Sequence, residues 1–160
     1  MYKVKFIEQY NFYMLADTDM NQALNTLKII RRYKKKDVIN ALIRDIIVIY
    51  SKPFTNCKGT HIARHRLDKD EFVPKGLQAL HEKIMKYRNQ IFAHTDLTAR
   101  KPRLGRLQVG SGYRYGIAFR GFSPSDFEKD LPRIEETIHK VKKKISTKLR
   151  DIEKKLDLIE

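Results

Sequence analysis

From Leu131 to Ile159 the apolar residues Leu131, Ile134, Ile138, Val141, Ile145, Leu149, Ile152, Leu156 and Ile159 recur at intervals of three and four, with mostly charged residues between them. Such intervals straddle the 3.6-residue helical turn, so the nine side chains form one stripe along one helix. A stripe this long needs an equally long apolar surface to cover it, and packed helices supply one. The chain is therefore expected to be all-α, a bundle of about five helices, with a long C-terminal helix over 130–159. Pro132 suits the first turn of that helix, where its missing N–H needs no partner, and Ser125 with Glu128 makes a candidate capping box just before it. At about 42 Å the helix outreaches a compact domain of this size, which points its far end toward a second subunit.

The remainder reads as helices with one interruption. Val4, Ile7, Met14 and Leu15 give helical spacing over 2–16, and Asp17-Thr18-Asp19 offers caps for a second helix carrying Met20, Ala23, Leu24, Leu27 and Ile30. Its basic end, Arg31 to Lys36, suits the negative end of a helix dipole. Asp37 is the candidate cap of a third helix, apolar around most of its girth, in which β-branching at Ile43, Ile46, Ile47 and Val48 leaves a strand open. Pro53 stops it, 52–73 is irregular, and Pro74 and Gly76 precede the next helix. Over 97–122 an insertion carries Arg100, Lys101, Arg103, Arg106, Arg114 and Arg120 without one acidic residue, and Gly110-Ser111-Gly112 suggests a small β-hairpin.

The 160 residues fit one domain, which at this size buries roughly 70% of its unfolded surface. The single Cys57 rules out an intramolecular disulfide, and the polar start gives no secretory leader, so a reducing, cytoplasmic setting is expected. The apolar run Ile46 to Tyr50 is far shorter than the ~20 residues of a membrane span, and no membrane partner is expected. Against 19 acidic residues stand 34 basic ones, a net charge of +15. A field of that sign attracts polyanions, nucleic acid first among them.

One segment joins this charge to chemistry: Tyr87-Arg88-Asn89-Gln90-Ile91-Phe92-Ala93-His94-Thr95-Asp96. On an ideal helix Leu77, Leu80, Ile84, Tyr87 and Ile91 form the core stripe, with Arg88 and His94 about 60° to either side and about 9 Å apart along the axis. They do not meet within one helix, but a two-fold partner packed along it brings both pairs to a shared cleft. There a histidine can move a proton to or from a ribose oxygen while an arginine holds the phosphate, with no metal or cofactor called for. The plainer reading makes His94 a helix-end cation and Arg88 a surface residue.

The stretch from Arg88 to His94 resembles the signature of the HEPN family, an arginine, a polar residue that is often Asn, and four to six residues before a histidine. Ile49-Tyr50-Ser51-Lys52-Pro53-Phe54, Leu80-His81 and Ala93-His94-Thr95-Asp96 resemble the abortive-infection branch, and the similarity spans roughly residues 35 to 100. The resemblance implies an antiparallel helical bundle, a homodimer with motif helices facing across a basic cleft, and a metal-independent endoribonuclease of toxin-antitoxin or phage-defence type, answering to an antitoxin or other inhibitory partner. Arg88 and His94 would be the catalytic pair and Asn89 the motif's polar member. Where one branch of the family has a tyrosine two residues after the histidine, this chain has Asp96, so modification of that tyrosine is not implied. Other members have lost catalysis and bind RNA, nucleotides or proteins, which gives the alternative of a noncatalytic binding module.

In the insertion, Tyr113 and Tyr115 interleave with the six cations, a composition that can hold single-stranded RNA by phosphate contacts and base stacking. The alternative is that Tyr115, Ile117 and Phe119 pin the hairpin to the bundle while its arginines face solvent. His61 and His65, four apart, make a weak metal pair without a third ligand at ligand spacing, Cys57 included.

Overall fold

The computed structural model describes residues 2–92, 101–118 and 125–157. In chain order it contains α1 (Tyr2–Ile30), α2 (Lys36–Ser51), β1 (Cys57–Lys58), β2 (Arg64–His65), α3 (Lys69–Phe72), α4 (Gln78–Tyr87), β3 (Arg103–Val109), β4 (Gly112–Ala118), α5 (Ser125–Glu128) and α6 (Leu131–Asp157). The protein is thus mainly helical, with two small antiparallel hairpins among the described residues, β1–β2 and β3–β4.

The C-terminal stripe buries as its spacing requires: Ile134, Ile138, Val141 and Ile145 are fully buried and Ile152 nearly so. They pack against Tyr13, Ala16, Met20, Ala23, Leu27 and Ile30 of α1, which also receives Ile43, Ile46, Ile47 and Tyr50 of α2. Polar contacts along the seams give the directions. Tyr10 Oη donates to Glu153 at 3.0 Å, Lys142 pairs with Asp17 at 3.5 Å, and Arg31 pairs with Glu135, so partner numbers fall as α1 rises. Thr26 Oγ1 donates to Asp45 at 2.9 Å and Lys52 pairs with Asp19 at 3.2 Å, which sets α2 antiparallel to α1 as well.

Several expectations change. The caps expected at Asp17-Thr18-Asp19 do not divide the first segment, because nothing in Tyr2–Ile30 breaks a helix and those side chains have other partners. Thr18 Oγ1 donates back to the Met14 carbonyl, and Asp17 and Asp19 reach cations on neighbouring segments. Val4, Ile7, Met14 and Leu15 are helical but face outward, with Leu15 67% exposed. The phase is set by the longer stripe from Tyr13 to Ile30, and these four lie roughly 110° to 170° around the helix from its centre. Asp37 falls inside the first turn of α2, accepting from the Val38 N–H at 3.0 Å, while Lys35 occupies the capping position. The β-branched run of α2 is helix, and it ends at Ser51 before the turn Lys52–Phe54, in which Pro53 and Phe54 are buried. Within 52–73 lie β1, β2 and a short α3, whose capping Asp68 accepts from the Asp70 and Glu71 N–H groups at 2.7 and 3.2 Å.

Val109 pairs with Gly112 across a two-residue turn, and Gly110 at φ 61° takes the positive φ that such a turn asks of its first central residue. Among the described residues no helix is long and apolar enough to cross a membrane.

Candidate functional site

The motif segment begins where α4 leaves the core. Leu80, His81 and Ile84 are buried, Tyr87 and Arg88 are half-buried, and Asn89 is exposed. Beyond Tyr87 the chain does not continue as α-helix. Residues Arg88–Phe92 form a π turn, in which each backbone bond spans five residues instead of four. The sequence-derived angles assumed an ideal α-helix, and the backbone departs from one over Arg88–Phe92. His94 lies outside the described residues, as do Arg100 and Arg120.

This turn is fixed by what surrounds it. The Tyr87 hydroxyl donates to Asp126 at 2.6 Å and the ring meets Phe127 edge-on, with centroids 4.8 Å apart. Lys83 donates to Asp130 at 2.7 Å and sits 4.5 Å above the Phe127 ring, so α5 clamps the last turn of α4. Arg88 Nη1 donates to Asn89 Oδ1 at 2.9 Å. Among the described residues no carboxylate pairs with Arg88, and four of its five N–H donors stay available for an oxyanion.

About two turns earlier, His81 Nδ1 lies 2.8 Å from the Tyr50 hydroxyl and its ring meets Phe54 edge-on at 4.5 Å. Burial holds the His81 imidazole down at about 4, with Lys69 adding to the effect and Glu82 opposing it, and burial pushes the Tyr50 phenol up. His81 is therefore neutral at pH 7. Its folded value lies below the unfolded one, so its stabilising contribution is complete above about pH 6.5 and is lost as pH falls toward 4. Between pH 7 and pH 5 the fold is expected to lose about 2 kcal/mol, measured by urea unfolding. A His81→Asn variant, which keeps a partner for Tyr50 but takes up no proton, should show little of this loss; an equal loss in both proteins would contradict the assignment.

The irregular segment after α2 is held by a contact that sequence reading missed. Glu8 of α1 accepts from the N–H groups of Thr60 at 2.9 Å, His61 at 2.6 Å and Ile62 at 3.3 Å, and from His65 Nε2 at 2.8 Å. The His65 bond, helped by the three N–H groups and opposed by partial burial, holds the Glu8 carboxyl down at about 2. His65 also stacks on Phe12 at 5.1 Å, and its Nε2 is engaged by Glu8. Among the described residues no three His, Cys, Asp or Glu side chains converge. Cys57 is half-buried, its Sγ 3.6 Å from the Thr55 carbonyl.

Every residue of β3 and β4 is exposed, and alternation sorts them onto two unlike faces. The cross-strand pairs Leu104–Ile117, Arg106–Tyr115 and Gln108–Tyr113 share one face, where the Arg106 guanidinium lies 4.3 Å over the Tyr113 ring. Arg103–Ala118, Gly105–Gly116, Leu107–Arg114 and Val109–Gly112 share the other. Tyr115 and Ile117 are 65% and 63% exposed, so they do not pin the hairpin to the bundle; Phe119 lies outside the described residues. Lys101, with φ 45°, and Pro102 lead into β3.

Comparison with protein-family models, with curated proteins and with solved structures finds no match to this chain.

Proposed function

We propose that the chain is a HEPN-like, metal-independent endoribonuclease of toxin-antitoxin or phage-defence type, acting as a homodimer in which two motif segments share one cleft. The observation that carries this reading is the Arg88–Asn89 pair: a guanidinium aligned by the neighbouring amide, clamped at a helix end through Tyr87 and Lys83, and without a carboxylate partner among the described residues. Around it stands a chain of net charge +15. The resemblance of Arg88 to His94 to the HEPN signature supplies the second catalytic group and the dimer.

In this reading Arg88 holds the non-bridging oxygens of the scissile phosphate through parallel N–H donors. One His94 takes the proton of the ribose 2′-hydroxyl, the 2′-oxygen bonds to phosphorus, and the bond from phosphorus to the 5′-oxygen breaks. The second His94, from the other subunit, returns a proton to the leaving 5′-oxygen. The products are a 2′,3′-cyclic phosphate and a 5′-hydroxyl. Asn89 acts as a positioning residue for Arg88. An antitoxin or other acidic partner would restrain the enzyme by covering the same basic cleft.

The experiment is incubation of the purified chain with mixed RNA. Defined fragments are expected; intact RNA bound tightly would instead make the chain a noncatalytic binding module. The hairpin is the proposed guide for the strand, through Lys101, Arg103, Arg106, Arg114, Tyr113 and Tyr115, with Arg100 and Arg120 flanking it in sequence. Replacing Arg103, Arg106 and Arg114 by alanine should flatten the salt dependence of RNA binding by up to about two logarithmic units, at ~0.7 per lost phosphate contact on a single strand. The fold should survive, since all three side chains are exposed. An affinity series across salt concentrations checks this, and an unchanged slope would mean that these arginines do not meet RNA.

A further inference from the structure

The Arg103-bearing face of the hairpin has a feature that phosphate contacts do not explain. Gly105 and Gly116 are direct cross-strand partners in mid-hairpin, so two adjacent positions on one face carry no side chain. Neither has a positive φ. A Cβ at Gly116 would meet nothing within 4 Å, and one at Gly105 only the Gly116 carbonyl at 3.8 Å. Turn geometry and crowding therefore do not require glycine at either place, although glycine weakens a strand. A depression of about 310 Å³ lies here, lined by Gly105, Arg106, Leu107, Arg114, Tyr115 and Gly116. Bare backbone in a strand allows close approach of a ligand, and glycines in sheets are favourably covered by aromatic rings.

We propose that the Gly105–Gly116 window seats one unstacked nucleobase of single-stranded RNA, lying flat on the exposed peptide planes. The inference rests on reading the chain as an RNA-binding protein, and it does not depend on catalysis. Four side chains frame the window: Arg103 and Ala118 on one side, Leu107 and Arg114 on the other. The two arginines stand at diagonal corners, about 13 Å apart along the strands at ~3.3 Å per residue, so they can hold the phosphates on either side of the seated base. Leu107, 69% exposed, walls the seat. Tyr113 and Tyr115 belong to the opposite face, and a strand wrapping the ribbon edge could stack bases on both. The arginines on this face select a base attached to a phosphate chain over an uncharged aromatic side chain of a protein partner.

The test uses substitutions that should strengthen the hairpin while closing the seat. Gly105→Thr with Gly116→Val introduces good strand formers into open space, so exchange of the β3–β4 amides should slow or stay unchanged. Affinity is measured for an uncleavable 2′-O-methyl twelve-nucleotide single strand and for an abasic chain of the same length. The double variant should bind the base-bearing strand at least about tenfold more weakly than the wild type, the scale of losing one stacked base, and the abasic chain equally well. Gly116→Val alone, the milder change, should show the same pattern if the double variant does not fold. Undiminished affinity for the base-bearing strand would overturn the proposal. An equal loss on both chains would overturn it too, because the change would then act on phosphate contacts. A wild type that prefers no base at all would leave the window to an aromatic side chain of a protein, and a wild type that binds neither chain would overturn the RNA-binding reading along with it. Failure of cleavage with base-dependent binding intact would count against the nuclease alone.

Discussion

Alanine in place of His94 or of Arg88 is expected to lower RNA cleavage at least about a hundredfold, the usual scale for losing a positioned proton-transfer group or a charge-stabilising donor. Thermal stability should stay close to wild type in the Arg88 variant, whose guanidinium is engaged only by the exposed Asn89 among the described residues. Arg88→Lys keeps the charge but not the planar fork, so it should recover only part of the activity. Initial rates on a defined RNA, with unfolding measured on the same preparations, check both points. Cleavage retained in the His94 variant would remove the proposed proton carrier.

Phe127→Ala should cost about 3–5 kcal/mol, the range for truncating a fully buried aromatic side chain. Phe127 is completely buried, the Tyr87 ring packs against it, and the Lys83 ammonium sits above its face. These two contacts join α5 to the end of α4, so the loss should also loosen the turn that presents Arg88. Activity is therefore expected to fall even at temperatures where the variant remains folded. Tyr87→Phe keeps the ring and removes only the hydroxyl bond to Asp126, so its cost should be near 1 kcal/mol. Urea unfolding of the two variants separates packing from hydrogen bonding. A Phe127→Ala cost under about 1 kcal/mol would mean that α5 does not hold this corner.

What the sequence made legible followed long-range regularity. The α6 stripe repeats eight times at unbroken spacing, so its phase and burial could be read directly. Gly110-Ser111-Gly112 marked the β3–β4 turn because a tight turn asks for positive φ, and Gly110 supplies it. The unity of α1 was not legible, because Asp17-Thr18-Asp19 has the composition of a cap, and only the partners on α6 and in the turn after α2 decide otherwise. Apolar spacing at Val4, Ile7, Met14 and Leu15 announced a helix but not which face is buried. β1 and β2, two residues each, are too short to alternate, and Glu8 meets the segment between them from more than fifty residues away. At the site, the positions of Arg88 and Asn89 came from motif spacing, whereas the π turn at Arg88–Phe92 has no periodic signal and changes the angles that an ideal helix would give.

The measurement closest to the central claim is the chemistry of the cut ends. Purified chain is incubated with mixed RNA in excess chelator, and the fragments are analysed at both termini, with the His94→Ala protein in parallel. Attack by the 2′-hydroxyl predicts fragments carrying a 2′,3′-cyclic phosphate and a 5′-hydroxyl from the wild type, and intact RNA from the variant. Intact RNA from the wild type, or fragments ending in a 3′-hydroxyl and a 5′-phosphate, would contradict it.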